Sequence, residues 1–163
     1  MAGQASTYRI LGIDPGLNIT GYAVVDFAGG LPAIVEAGTL RTNARLDLAG
    51  RITQLHADLT EILAEMTPDL AAIEQLYAHY KHPRTAILMG HARGIVLLAC
   101  RQAGVSVRNL ASTAVKKGIT GNGHASKLQV QRAIQSILKL PNIPQPPDVA
   151  DALAIALCAA RRV

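Results

Sequence analysis

The hydrophobic positions along the chain follow two different periods, and the switch between them divides it. In the first third, short apolar runs alternate with turn residues: YRILGID, then ITGYAVVDF, a Gly29-Gly30 turn, and LPAIVEAGTL. Runs of this kind predict three strands joined by hairpins. From Leu48 the apolar residues fall at Ile52, Leu55, Leu59, Ile62, Leu63 and Met66, steps of three and four that mark one face of a helix. Pro68 closes that helix, LAAIEQL supplies a fourth strand, and a second helix runs from Arg84 to Ala103 before Gly104. VSVRNL predicts a fifth strand.

The last third predicts a short helical piece around Ala111 to Lys117 and a mobile glycine loop at Gly121-Asn122-Gly123. An amphipathic helix follows from Ser126 to Leu138. The stiff PNIPQPP segment then leads into a final helix starting at Pro147 or Asp148. Three antiparallel strands followed by αβαβαα predict an α/β fold: a five-stranded mixed sheet, three antiparallel strands then two parallel, flanked by helices.

Length predicts a single domain over residues 1–163. Half the residues are hydrophobic but only 3% are aromatic, so Leu, Ile, Val and Ala must build the core. Cys100 and Cys158 sit in apolar, helix-like stretches without metal-ligand spacing, which predicts buried thiols in a reducing cytoplasm rather than a disulfide. The start of the chain has no basic segment leading into a long apolar run. No stretch reaches about 18 uninterrupted apolar residues, so secretion and membrane insertion are not expected.

The eleven acidic residues separate into two groups. Asp58, Glu61 and Glu65 lie off the apolar stripe of the first helix, Asp47 lies near its start, and Asp69 follows Pro68. All five are expected in water, as are Asp26 and Glu36 on alternating strands. Asp14 and Glu74 differ, because ILGID and LAAIE are near-continuous apolar runs in which a carboxylate is costly unless paired, hydrogen-bonded or metal-bound. The competing explanation for each is a turn cap at a strand end. Asp148 and Asp151, three apart in PPDVADALAIALCAARR, can share a face of a helix start; the helix dipole and capping are the competing explanation.

If these four carboxylates converge, they repel one another unless cations neutralise them. An oxygen-only ligand set suits Mg²⁺ or Mn²⁺ rather than zinc. Two such ions roughly 3.5–4 Å apart can activate water and stabilise the leaving oxygen in phosphodiester hydrolysis.

Charge distribution sharpens the same picture. The net charge of +5 and pI near 9.6 favour polyanionic partners without specifying one. Between Glu74 and Asp148, however, there is no acidic residue and there are ten basic ones: Lys81, Arg84, Arg93, Arg101, Arg108, Lys116, Lys117, Lys127, Arg132 and Lys139. Arg93 and Arg101 read as ordinary helix positions. The segment as a whole reads as a phosphate-backbone surface beside the acidic set. Tyr77 and Tyr80 in LYAHYKHPR are placed to stack on bases or to pack on their own loop, with Tyr77 preferred by position. His79 and His82 lack further N or S ligands and read as surface polar residues.

GIDPG with Gly21-Tyr22 following, AIEQ, Gly90-His91-Ala92-Arg93-Gly94, GxG before Ala125, Lys127 with Gln129-Val130, and ADALAIA together resemble the RuvC family of crossover junction endodeoxyribonucleases. The likeness runs in order from about Ile10 to Leu157. It implies a ribonuclease H-like fold and a homodimer that nicks opposing strands of a four-way DNA junction alongside a RuvAB-type branch-migration motor. Asp14, Glu74, Asp148 and Asp151 match the family's catalytic metal-binding positions, expected to hold two Mg²⁺ or Mn²⁺ ions. Tyr77 matches an aromatic that probes the DNA, usually phenylalanine. Lys116 and Lys127 match positions that handle the scissile backbone, with Lys117 as a substitute or helper; Lys81 and Arg84, from the basic segment, are expected as further DNA contacts.

Three other readings compete with this one. An ATP-handling relative would need a second lobe for which the length leaves no room. A junction-binding module without cleavage would keep the basic surface yet has no use for an intact acidic set. A different nuclease on the same fold would act on flaps or RNA–DNA hybrids.

Overall fold

A computed structural model describes residues 6–76 and 81–161. Its elements, in order, are β1 (Tyr8–Asp14), β2 (Ile19–Ala28), β3 (Leu31–Arg41), α1 (Leu48–Met66), β4 (Leu70–Glu74), α2 (Pro83–Gln102), β5 (Ser106–Leu110), α3 (Ser112–Thr120), α4 (Lys127–Ile137) and α5 (Pro147–Ala160). The strands form one sheet in the order β3-β2-β1-β4-β5. β1 to β3 are antiparallel, while β1/β4 and β4/β5 are parallel, which is the mixed sheet the sequence predicts.

Alternation along the central strands divides the core into two layers. Ile10 of β1, Ala23 and Val25 of β2 and Ala72 of β4 pack with α3, α4 and α5. Leu11, Ile13, Val24, Ala71 and Ile73 face the other way, against α1 and α2. With a side-chain period of two, Gly12 and Asp14 share the face of Ile10, and Glu74 shares that of Ala72. Strand geometry alone therefore aims both carboxylates at the α5 side of the sheet.

Two glycines let α5 lie directly on that face. A Cβ at Gly12 would fall 2.3 Å from the Ala152 carbonyl oxygen, and one at Gly21 would fall 2.2 Å from the Asp148 carbonyl oxygen. Gly21 is also the cross-strand partner of Asp14. The helix is buried almost all round, from Val149 to Ala159, apart from half-buried Asp151.

Several acidic residues expected in water are engaged instead. Arg9 donates to both Asp26 oxygens at 2.7 and 2.9 Å, to the Met66 carbonyl at 2.8 Å, and from its backbone N–H to Asp69 at 2.7 Å. Tyr22 donates to Glu36 at 2.6 Å, and Asp47 caps α1 by accepting from the Gly50 N–H at 2.8 Å. Their partners are distant in sequence or depend on a cap, so alternation alone could not reveal them. Cys100 and Cys158 are both buried, and burial pushes the Cys100 thiol up to about 11. No helix among the described residues is long and apolar enough to cross a membrane.

Candidate active site

Ile13 pairs with Ile73 across the parallel β1/β4 ladder, so Asp14 and Glu74 end neighbouring strands at the same level. Ligand sites of open α/β sheets form at these carboxyl ends. Asp148 and Asp151 enter above them on the first two turns of α5, held close by the Gly21 contact. The cap of α5 is Pro146, with no side-chain cap bond, so neither aspartate serves as the cap. The four carboxylates picked from the sequence are thus brought to one place by three segments of chain.

Charge at this place is unbalanced. Burial, then the charges of Asp151, Glu74 and Asp148, push the Asp14 carboxyl up to about 7. Burial likewise raises Glu74, although a hydrogen bond from Ser112 and the nearby Lys116 and Lys127 oppose the shift. Asp151 is raised by burial against the pull of Lys127, whose Nζ lies 3.4 Å from its Oδ2. Hollows of about 150 and 260 Å³ adjoin this group; Glu74, Lys127 and Asp151 line both. A larger hollow of about 480 Å³, lined by Tyr8, Phe27, Pro32, Ile137 and Leu157, lies at the other end of β1 and holds none of the carboxylates.

Among the described residues, no three acidic, histidine or cysteine side chains are arranged to grip one ion directly. The donor chemistry nevertheless fits a hard divalent cation: the donors are all oxygen and negative charge is in excess.

The basic candidates divide. Lys116 lines the smaller hollow and Lys127 lines both, while Lys117, Lys81 and Arg84 are exposed. Arg93 is tied down, donating to the Glu74 carbonyl at 3.4 Å and to Asn109, and Arg108 donates to the Ala159 carbonyl at 2.9 Å. Tyr77, His79 and Tyr80 lie outside the described residues. The glycine loop is pinned rather than open: Gly121 caps α3, and Asn122 bonds to Thr120, His124 and Ala125. Sequence reasoning did not pick out Ser112 as a partner of Glu74, nor Gly12 and Gly21 as the seat of α5. The signal for the glycines was present as two positions on the inward face of predicted strands.

Residues 10–159 match the family model for crossover junction endodeoxyribonuclease RuvC. The chain belongs to the RuvC family. The RuvC of Rhodopirellula baltica is 51% identical over 157 residues, covering 96% of this chain and 88% of that one. The RuvC of Pelotomaculum thermopropionicum is 43% identical over 149 residues, covering 91% and 90%. Among solved structures, Thermus thermophilus RuvC in complex with a Holliday junction substrate superposes with a TM-score of 0.87 at 33% identity, covering 94% of this chain and 93% of that one. The fold is therefore the ribonuclease H-like fold of RuvC. The yeast mitochondrial Holliday junction resolvase Ydc2 shares that fold at 13% identity and a TM-score of 0.68, with 98% and 82% covered.

Proposed function

We propose that this RuvC-family chain resolves four-way DNA junctions by hydrolysing one phosphodiester in each of two opposed strands, leaving 5′-phosphates and 3′-hydroxyls. The observation that carries this reading is the meeting of Asp14, Glu74, Asp148 and Asp151 beside Lys116 and Lys127. The four carboxylates hold two divalent ions, Mg²⁺ or Mn²⁺. Such ions lower the proton affinity of water and stabilise charge on the leaving oxygen. Asp14 and Glu74 are fixed at strand ends and Asp148 and Asp151 on a buried helix, so the ligands are oriented before substrate arrives. Lys116 and Lys127 draw the scissile backbone in, Lys117, Lys81 and Arg84 grip phosphates further out, and Tyr77 contacts bases near the cut.

Two-fold cutting calls for a two-fold enzyme. The surface of α2 supports one: Ile87, Gly90, Gly94 and Leu98 form a stripe, Ile87 and Leu98 are exposed, and a Cβ at either glycine would meet nothing within 4 Å. Among the described residues, the glycines thus meet no neighbour at Cβ range and leave room for a helix of a second copy. A RuvAB-type branch-migration motor supplies the junction in the cytoplasm.

The test is cleavage of a synthetic four-way junction against matched duplex, flap and RNA–DNA hybrid, with Mg²⁺, with Mn²⁺ and with chelator. Paired, metal-dependent nicks in the junction alone are expected. Binding without cutting would favour a non-catalytic module. Preferred cutting of flap or hybrid would keep the nuclease and change its substrate.

A further inference from the structure

Lys127 occupies an electrostatically awkward place. It is the first residue of α4, where the helix dipole disfavours a cation, and the first turn carries no acidic residue to offset it. Its backbone is fixed, because Ser126 and Gln129 close a reciprocal capping box around the helix start. The compensation comes from α5: the ammonium sits 3.4 Å from Asp151 Oδ2 and is also within the field of Asp14 and Asp148. Its charge is felt in turn by Asp14, Glu74 and Asp151.

The pairing is built to be reversible. The Lys127 side chain is 71% exposed while Asp151 is 23% exposed, so the ammonium can leave on its flexible stem without disturbing the core. Asp14, Glu74, Lys127 and Asp151 line one hollow of about 260 Å³. A divalent cation drawing on Asp151 there meets the ammonium as a like charge at close range.

We propose that Lys127 is a displaceable internal counter-ion: its ammonium holds Asp151 in the metal-free protein, competes with a divalent cation for that carboxylate, and is released by the cation toward the DNA backbone. This rests on the carboxylates being the metal site. Loading of the site and readiness to grip DNA are then one event, and Lys127 acts as a positioning residue before it touches substrate.

The experiment uses the whole protein without DNA, with Mn²⁺ alone as probe, followed by the electron paramagnetic resonance signal of the free ion at constant ionic strength. Lys127→Met keeps the stem and removes the charge; it is expected to bind Mn²⁺ roughly fivefold more tightly than the wild type. Lys127→Arg keeps the charge and is expected to stay within about twofold of the wild type. Equal or weaker binding by Lys127→Met, with Asp151→Asn still weakened, overturns the counter-ion and leaves the metal site standing. Wild-type affinity in Asp151→Asn removes the metal-site reading and the counter-ion with it. Should Lys127→Met not fold, the Lys127 side-chain NMR signal of the wild type decides: movement toward that of a solvated lysine during Mg²⁺ titration supports displacement, and no movement overturns it.

Discussion

At one end of β1 the Arg9 guanidinium holds Asp26 with two bonds, closes the end of α1 through the Met66 carbonyl, and leaves its own N–H to Asp69. At the other end Asp14 faces Glu74, Asp148 and Asp151, and the ion pair in reach is Lys127 with Asp151. The same strand thus carries a neutralised cluster and an over-charged one. Arg9 holds the Asp26 carboxyl below the usual range, whereas Asp14 is pushed up to about 7. Satisfied charge marks a structural joint, and unbalanced charge marks a candidate functional site.

The sharpest way to separate the two ends is Asp14→Asn. Single-turnover junction cleavage is expected to fall by at least about a thousandfold, on the order of 4 kcal/mol of transition-state stabilisation. Junction affinity should stay within about threefold, and the melting temperature in chelator should rise as repulsion is relieved. An equal collapse of binding would show that this end grips DNA rather than reacting with it.

Gly21→Ala tests whether the over-charged end depends on how closely α5 is seated. The new methyl group would meet the Asp148 carbonyl oxygen at 2.2 Å, so the helix start must lift. A loss of about 3 kcal/mol in urea unfolding is expected, with weaker Mn²⁺ binding by the protein that remains folded. Arg9→Met addresses the neutralised end. It strands Asp26 and opens the end of α1, with an expected cost of about 2 kcal/mol and unchanged cleavage by folded protein at low temperature.

The two ends also differ in the sign of their pH slope. Asp14 takes up its proton more readily folded than unfolded, so its contribution is full below about pH 4 and is lost as pH rises towards about 7. Asp26 is held low, so its contribution is present above the unfolded value and is lost as pH falls below it. Melting in chelator between pH 4.5 and 8 should therefore show a fall of about 3 kcal/mol that Asp14→Asn flattens. A fall unchanged by the substitution would assign it to other groups.

The parts of this molecule that were legible in the sequence were those written in local periodicity. Five strands, the helix from Leu48 to Met66 and the capped helix after Ser126 follow from spacing and end signals. Asp14 and Glu74 stood out because they interrupt apolar runs. The Arg9 joint was not legible, because its partners lie 17, 57 and 60 residues away and each looks solvated by itself. The Lys127 contact and the Ser112 bond to Glu74 were hidden for the same reason. They exist only once α3, α4 and α5 have packed on the sheet.

Because α5 is both the central plug of one core layer and the carrier of Asp148 and Asp151, the proposed reacting centre has no existence apart from the packed interior. A nuclease whose ligands sat on surface loops could lose its chemistry while the fold survived, or keep a trace of it during partial melting. Here, catalysis becomes a gauge of global folding: in rising denaturant, cutting should vanish along the same curve as the core.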